Sequence, residues 1–287
     1  MKYDDFSERK MIRILIPLMA FVLLFTACGG HSAATSADSE ADSLLTDTAA
    51  VDSTANVEAD EPVPMAADEF FDDFIFNFAA NKRLQQARIT FPLLYKKDKD
   101  TTRIQASAWK MEHFFMTQDH YTLIFDSEQQ MEKVKDTHLN HATVEKIFLG
   151  QHTIRQYEFR RERGLWMMEA MKEMPMSESH NASFLSFYAH FASDPDFQLK
   201  SLAETVHFVG PDPDDDFSMM EGIITPDTWP AFAPELPSNM IYNIIYGEPG
   251  KEQGTKIFLL RGIANGFEME LSFRLHNGHW QLTKMIT

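Results

Sequence analysis

The 287-residue chain has a single cysteine, Cys28, and this scarcity excludes two kinds of cross-link. No disulfide can form within a chain that has one thiol, and a metal site built from several thiolates is excluded with it. Basic residues are also in the minority, with 26 Lys and Arg against 43 Asp and Glu and a net charge of −17. Because so acidic a protein repels phosphates, we expect no nucleic-acid partner.

Sequence signatures of catalysis are missing as well. The chain contains no Gly-x-Ser-x-Gly, no His-Glu-x-x-His and no glycine-rich phosphate loop. Its 11 histidines and 43 acidic residues could still supply an acid and a base in a pocket, but their spacing brings no two of them together. We therefore expect no cofactor and favour a non-enzymatic protein, and a small-molecule hydrolase or isomerase remains the alternative.

The first 27 residues have the pattern of an export signal. A basic start is followed by an apolar run over residues 14–25, which is shorter than the ~20 residues that cross a bilayer and suits a signal peptide. The segment Leu24-Phe-Thr-Ala-Cys28-Gly resembles the lipobox of bacterial lipoproteins. The resemblance implies that residues 1–27 are removed and that Cys28 carries acyl chains such as palmitate. The alternative is cleavage at a nearby small residue, with Cys28 incidental.

Residues 28–67 then form the lipidated cysteine and an acidic tether. Residues 29–67 carry eight acidic residues and no Lys or Arg, and no apolar periodicity runs through them, which predicts disorder. Such a chain of about 39 residues reaches roughly 35 Å. We expect a cell-envelope protein held through its lipid at a membrane, the outer membrane being favoured. Since the acidic run begins only at Asp38, we favour a periplasm-facing location over surface exposure.

The remainder of the chain contains an internal repeat. Phenylalanines at 71, 74 and 78 align with those at 184, 187 and 191, and their spacing is one face of a helix. Further on, the tryptophan pair Trp109 and Trp229 align, as do Phe159-Arg-x-x-x-Gly-x-Trp166 and Phe273-Arg-x-x-x-Gly-x-Trp280. The alignment predicts two α+β repeats, at residues 68–176 and 180–287.

Each repeat is expected to begin with a helix capped near Asp68 or Asn181 and to end in two strands joined by a turn at Gly164 or Gly278. This order resembles the nuclear-transport-factor-2-like (NTF2-like, cystatin-like α+β) superfamily. The whole arrangement also resembles a family of uncharacterised Bacteroides-type lipoproteins, with a domain of unknown function, built from such domains. The resemblance implies a helix packed on a curved antiparallel sheet, forming a cone with an apolar pocket, and it transfers no catalytic residue.

Three clusters suggest metal binding. His138, His141 and Glu145 would share one face of a helix and could hold a divalent ion, but the flanking residues indicate a solvated segment. The methionines between 167 and 176 suit Cu(I), yet Met168 and Met171 align with Leu282 and Met285, which favours core packing. The acidic loop at 212–216 lacks the glycine and glutamate of a calcium-binding EF-hand. We expect no resident metal, and a metal-binding envelope protein remains a further alternative.

Four residues are candidates for ligand binding. His190 and His207 occur where the first repeat has Asn77 and Thr90, so they would distinguish the two pockets chemically. Trp109 and Trp229 precede irregular stretches and could form pocket rims, although core positions are the simpler interpretation. The sequence thus predicts a binding module for a peptide, a glycan or an envelope protein, in addition to the membrane contact made by the lipid.

Overall fold

The computed structural model describes residues 67–250 and 254–287. The predicted signal peptide, Cys28 and the tether up to residue 66 lie outside these ranges. No helix within them is long and apolar enough to cross a membrane. All described residues belong to one compact unit.

The described ranges contain five α-helices and twelve strands. The helices are α1 (Phe71–Ala80), α2 (Lys82–Ala87), α3 (Glu128–Met131), α4 (Ala182–Phe191) and α5 (Pro195–Lys200). The strands are β1 (Ile89–Lys97), β2 (Asp100–Ile104), β3 (His120–Phe125), β4 (His141–Phe148), β5 (Thr153–Glu162), β6 (Leu165–Pro175), β7 (Leu202–Asp212), β8 (Asp215–Ile224), β9 (Met240–Tyr246), β10 (Thr255–Gly262), β11 (Glu268–His276) and β12 (His279–Ile286).

The strands form two six-stranded sheets of corresponding order. The first sheet runs β2-β1-β6-β5-β4-β9 and the second runs β8-β7-β12-β11-β10-β3. The fold is therefore α+β. The expectation of purely antiparallel sheets is wrong, because β1 pairs with β6, and β7 with β12, in parallel. A parallel pair needs a long connection, and here the rest of each half of the chain supplies it.

The two halves of the chain exchange a strand, which no local sequence pattern predicts. Strand β3 lies in the second sheet, where Phe125 pairs with Ile257 of β10. Strand β9 lies in the first sheet, where Tyr246 pairs with Ala142 of β4. The two exchanged strands also touch each other, since the Thr122 hydroxyl donates to the Tyr242 carbonyl. Each sheet is therefore completed by the other half of the chain.

Aromatic side chains fill the core beside each long helix. In the first half, Phe71, Phe74 and Phe78 of α1 pack on Phe159, with ring centroids 5.3–5.9 Å apart. In the second half, Phe184, Phe187 and Phe191 of α4 pack on Phe273 at 5.2–5.6 Å. The i, i+3, i+7 spacing thus places three rings of each helix on one strand.

The expected caps are present only in part: Asn181 occupies the N-cap position of α4, whereas Phe70 occupies that of α1 and Asp68 does not cap it. The carboxylate of Asp68 instead makes a bidentate salt bridge to Arg88, with both N–O distances 2.8 Å, and accepts from the Trp166 amide at 2.9 Å. Asn181 precedes α4 but makes no side-chain cap, and its side-chain oxygen accepts from Lys256 at 2.6 Å. Charged partners bind these side chains more strongly than a backbone amide would.

The two predicted hairpin turns are present. Arg163 and Gly164 join β5 to β6, and Asn277 and Gly278 join β11 to β12, with φ angles of 50° and 85° and of 50° and 81°. Positive φ at both central residues defines the tight turn that matches the twist of paired strands, and glycine adopts it without steric cost.

Candidate functional site

A buried ionic cluster lies where exchanged strand β3 meets β10 and the start of α4. Lys256 is fully buried, and its ammonium donates to the Asp126 carboxylate and to the side-chain oxygen of Asn181. The second oxygen of Asp126 lies 2.9 Å from Nε2 of His180 and accepts from Gln130 at 3.0 Å. Three side chains therefore contact one carboxylate, and two of them, Lys256 and His180, are far from Asp126 in the sequence.

The cluster holds Asp126 as an anion. Burial would raise the pKa of this carboxyl, but hydrogen bonds from Lys256 and His180 outweigh the effect and keep the pKa below its usual value. Because the Lys256 ammonium and its counterion are buried together, removing either group would leave the other charge unpaired in an apolar interior. The Asp126 backbone carbonyl also accepts from the Thr255 hydroxyl at 2.5 Å, which anchors the end of β3 to β10.

A second buried acid, Glu145, lies on β4 close to this cluster. Its two oxygens accept from Asn243 at 2.8 Å and from Gln156 at 2.9 Å, while the Asn243 oxygen accepts from the Ile124 amide at 2.9 Å. Burial raises the pKa of Glu145, and the two amide hydrogen bonds offset only part of the rise. Asn243 therefore ties β9 to β3 while it binds an acid of the first sheet.

A cavity of about 30 Å³ adjoins the ionic cluster, and Asp126, His180, Gln130 and Gly250 contribute to its wall. This volume accommodates a single water molecule. An Asp–His pair beside a site of this size has the arrangement of a general base, in which the carboxylate orients the imidazole. Glu248 and Pro249 also line the cavity.

The ionic cluster combines residues from both halves of the chain, and the position of its lysine is filled differently in the first sheet. Phe159 and Phe273, which align in the sequence, pair with Ala142 and Lys256 respectively, so alanine occupies the position of the lysine in the first half. Ala142 in turn pairs with Tyr246, whose hydroxyl donates to Asp72 at 2.6 Å. At the equivalent position of the first sheet, a neutral side chain therefore replaces the lysine.

The first half has a polar group of its own around Glu112. This carboxylate accepts from the Tyr157 hydroxyl at 2.7 Å and from the Lys146 ammonium at 3.2 Å. Burial would raise the pKa of Glu112, but the Tyr157 hydrogen bond and the Lys146 charge lower it overall. Burial and the nearby Glu112 raise the pKa of Tyr157 far above its usual value. Glu112 therefore stays ionised and Tyr157 stays protonated at neutral pH.

The structure locates both candidate tryptophans against a helix. The Trp109 indole donates to Gln85 at 3.1 Å, and the Trp229 indole donates to Gln198 at 2.9 Å. Each glutamine also donates to a carbonyl in the last turn of the preceding helix, that of Phe78 or Phe191, at 3.0 Å. Trp229 is only 1% exposed. The pairs hold the short helices in place, and a ligand-binding role for either tryptophan stays a prediction.

The two candidate histidines lie at separate surfaces. His190 is exposed on α4, where its Nδ1 lies 3.0 Å from the Ser186 carbonyl oxygen. His207 lies on β7 with Nε2 3.6 Å from a Glu221 carboxylate oxygen. Neither belongs to the ionic cluster, whose histidine is His180. Their role in ligand binding stays a prediction.

The segment from His138 to Glu145 is not the helix that shared ligation required. His138 is exposed in a turn, whereas His141 and Glu145 belong to β4 and Glu145 is buried. Within residues 67–250 and 254–287, no group of three His, Cys, Asp or Glu residues could hold a metal ion. Met168, Met171, Met174 and Met176 are buried in the two apolar cores.

Sequence reasoning missed Asp126, His180 and Lys256. One signal was available, because Lys256 opens the apolar run Ile-Phe-Leu-Leu and aligns with the apolar start of β4. A lysine at an inward-facing strand position needs a buried partner. The spacing of the residues did not identify that partner.

A different feature, on the surface, is the apolar outer face of the β7–β8 hairpin. Met219 is 54% exposed and Ile223 67%, and the two lie on one face of β8 with exposed Glu221 between them; Phe217, nearer the turn, is 100% exposed. In the same row of pairs, His207 lies opposite Ile223 and Pro211 opposite Met219. Exposed apolar side chains that are grouped in this way mark interaction sites more often than scattered ones do.

The corresponding hairpin of the first sheet, β1–β2, is charged instead. Lys96, Lys97, Asp98, Lys99 and Asp100 are all exposed. Charged side chains on an edge strand discourage pairing with another chain. The two hairpins therefore differ: β7–β8 presents exposed apolar side chains, whereas β1–β2 presents charged ones.

The structure resembles a solved one. A crystal structure of an NTF2-like protein from Bacteroides fragilis NCTC 9343 matches with 41% sequence identity and a TM-score of 0.71, covering 78% of this chain and 98% of that one. This match confirms the expected similarity to NTF2-like proteins. No curated protein matches the chain. A family described as a domain of unknown function, DUF4348, matches residues 50–287, and the chain belongs to that family.

Proposed function

We propose that this protein is a lipid-anchored envelope module that binds a partner protein and has no catalytic activity of its own. The observation that carries the proposal is the exposed apolar face of the β7–β8 hairpin at an open sheet edge. The filled cores support it, since the aromatic rings that could line a cone pocket are packed against one another in both halves. The absence of catalytic motifs in the sequence agrees with it.

The proposal includes a duplicated body and a membrane anchor. The corresponding sheet orders and the matched Gln–Trp pairs support a tandem duplication of two NTF2-like repeats. The lipobox-like segment before Cys28 and the acidic tether support anchoring to a membrane that the body faces from the periplasm. Mass spectrometry of the mature protein is expected to find an acylated Cys28. A Cys28→Ser chain that still partitions into membranes would contradict the anchor.

Photocrosslinking of the full lipidated chain in its own bacterium tests the binding role. A crosslinking residue at Ile223 is expected to capture a discrete partner, because that side chain is exposed at the open edge. The matched control is Thr102 on β2, which is also exposed on an edge strand but lies among charges. Equal capture at both positions, or none at Ile223, would refute the proposal.

A second candidate function is small-molecule hydrolysis or isomerisation. The Asp126–His180 pair beside a water-sized cavity favours it. Turnover of an activated ester by the full chain, lost in His180→Gln and kept in His190→Gln, would support this function. The same rate in both variants would attribute any turnover to exposed histidines in general.

A further inference from the structure

We propose that the β8 edge of the second sheet accepts an extended, basic segment of the partner protein as an additional strand. This inference rests on the proposed binding function and names the chemistry of the partner.

Within the residues that the structure describes, β8 is the last strand of the second sheet and pairs with β7 on one side only. Regular pairing with β7 spans residues 219–224, so six residues at ~3.3 Å each can align an added strand. An edge strand offers a row of backbone donors and acceptors, which is how sheets recruit an extended segment.

The side chains of β8 can contact those of an added strand on both faces of the sheet. The outer face presents exposed Met219 and Ile223 with Glu221 between them, and Phe217 is exposed nearer the turn. On the inner face, Met220 is exposed, and a Cβ at Gly222 would meet no atom within 4 Å. Apolar side chains of the incoming strand can therefore pack beside β8 on either face.

Charge determines which segment fits. The sequence from residue 201 to residue 250 contains no Lys or Arg, while Asp212, Asp214 and Asp215 surround the hairpin turn and Glu221 is exposed within β8. A segment that alternates apolar residues with Lys or Arg complements both the exposed apolar side chains and this charge.

The same charge disfavours two other occupants of the edge. A second copy of the chain would bring the acidic hairpins together, and the net charge of −17 adds to the repulsion. A bilayer with anionic headgroups would be repelled by the aspartates at the tip of the hairpin.

Fluorescence anisotropy with a labelled peptide tests the inference. The protein is the full mature chain in detergent, and the probe is a peptide of about ten residues that alternates Lys with Val and Ile. Control peptides replace Lys by Glu or carry two central prolines, which remove backbone donors. We expect saturable binding of the Lys peptide alone, weakening as salt is added.

Two variants test whether the site is β8. In Met219→Lys/Ile223→Lys we expect affinity to fall about tenfold or more, because apolar contact is lost and positive charge is added. Thr102→Lys on β2 is the matched control and should bind as the unmodified chain does. Glu221→Lys replaces a negative charge by a positive one without removing apolar area, and it should weaken binding by a smaller factor. All four substituted side chains are exposed, so the fold should survive.

Several results would overturn the inference. One is equal binding of the proline peptide, since that would show that the backbone ladder is not used. Unchanged affinity in Met219→Lys/Ile223→Lys would move the site elsewhere. Self-association, or binding to anionic vesicles, that this variant abolishes would assign the edge to a second copy or to a membrane. If the crosslink at Ile223 is found while no peptide binds, the proposed function stands and only the strand-addition inference fails.

Discussion

Replacing Lys256 by methionine should destabilise the protein more than almost any other single change to a charged residue. The ammonium is fully buried, and the variant leaves Asp126 without its main counterion. Removing one partner of a buried ion pair costs about 3–5 kcal/mol. Because His180 and Gln130 still bind the carboxylate, we expect the lower part of that range.

The Asn181 oxygen would also lose its donor, which adds about 1 kcal/mol. The expected loss is therefore about 3–4 kcal/mol in the free energy of unfolding. For a protein of this size each kcal/mol shifts Tm by about 2–4 °C, so Tm should fall by about 10 °C. Urea unfolding of the full mature chain, followed by tryptophan fluorescence, measures the change directly.

Lys284→Met is the matched control. This lysine is 33% exposed and lies 3.5 Å from Glu270, so its loss should change the free energy of unfolding by no more than about 0.5 kcal/mol. In the double variant Lys256→Met/Asp126→Asn neither charge is left unpaired, and the total loss should be at least 1 kcal/mol smaller than the sum of the single losses. A loss below about 1 kcal/mol for Lys256→Met, or strict additivity, would refute the view that this pair holds the exchanged strand in place.

Three further predictions concern other buried groups. Glu145 has a raised pKa, so its contribution to stability is full below pH ~4.5 and falls as pH rises through its folded pKa. In Glu145→Gln the free energy of unfolding, measured with urea at a series of pH values, should therefore depend less on pH above ~4.5. An unchanged pH profile would contradict this. Gln198→Leu removes the acceptor of the Trp229 indole and should cost about 2–4 kcal/mol, measured by thermal unfolding; a loss below 1 kcal/mol would show that the pair is unimportant. Hydrogen bonds, the largest of them from Lys97, lower the pKa of Glu173 to about 2, so the stability that Glu173 provides is present above pH ~4.5 and lost towards pH 2. Glu173→Gln should remove this loss of stability in acid. If the variant still loses stability in acid to the full extent, Glu173 is not its source.

Much of the local structure follows from patterns within the sequence. The phenylalanine spacing predicts α1 and α4, and the glycines at 164 and 278 predict the two hairpin turns. Such features depend on neighbours within about four residues, because helical faces and tight turns are set by local backbone geometry. The alignment of the two halves also foreshadowed the corresponding order of strands in the two sheets.

The candidate site depended on contacts that no spacing reveals. Asp126 and Lys256 are 130 residues apart in the sequence and meet because β3 pairs with β10. His180 joins them from the start of α4, while the predicted His190 is exposed on the same helix. A histidine seen in a sequence does not show whether its ring faces a carboxylate or solvent, since that depends on packing between elements.

By itself the sequence determined the two long helices, the two hairpin turns and the acidic character of the chain, because these follow from local periodicity and composition. Only the tertiary structure shows that β3 joins the second sheet and β9 the first, because the apolar pattern of each strand would suit either sheet equally well. The choice is settled by long-range contacts such as Lys256 with Asp126 and Asn243 with the Ile124 amide. The sheet order also leaves β8 at the edge opposite β3, and the position of its exposed apolar side chains there became visible only once that order was known.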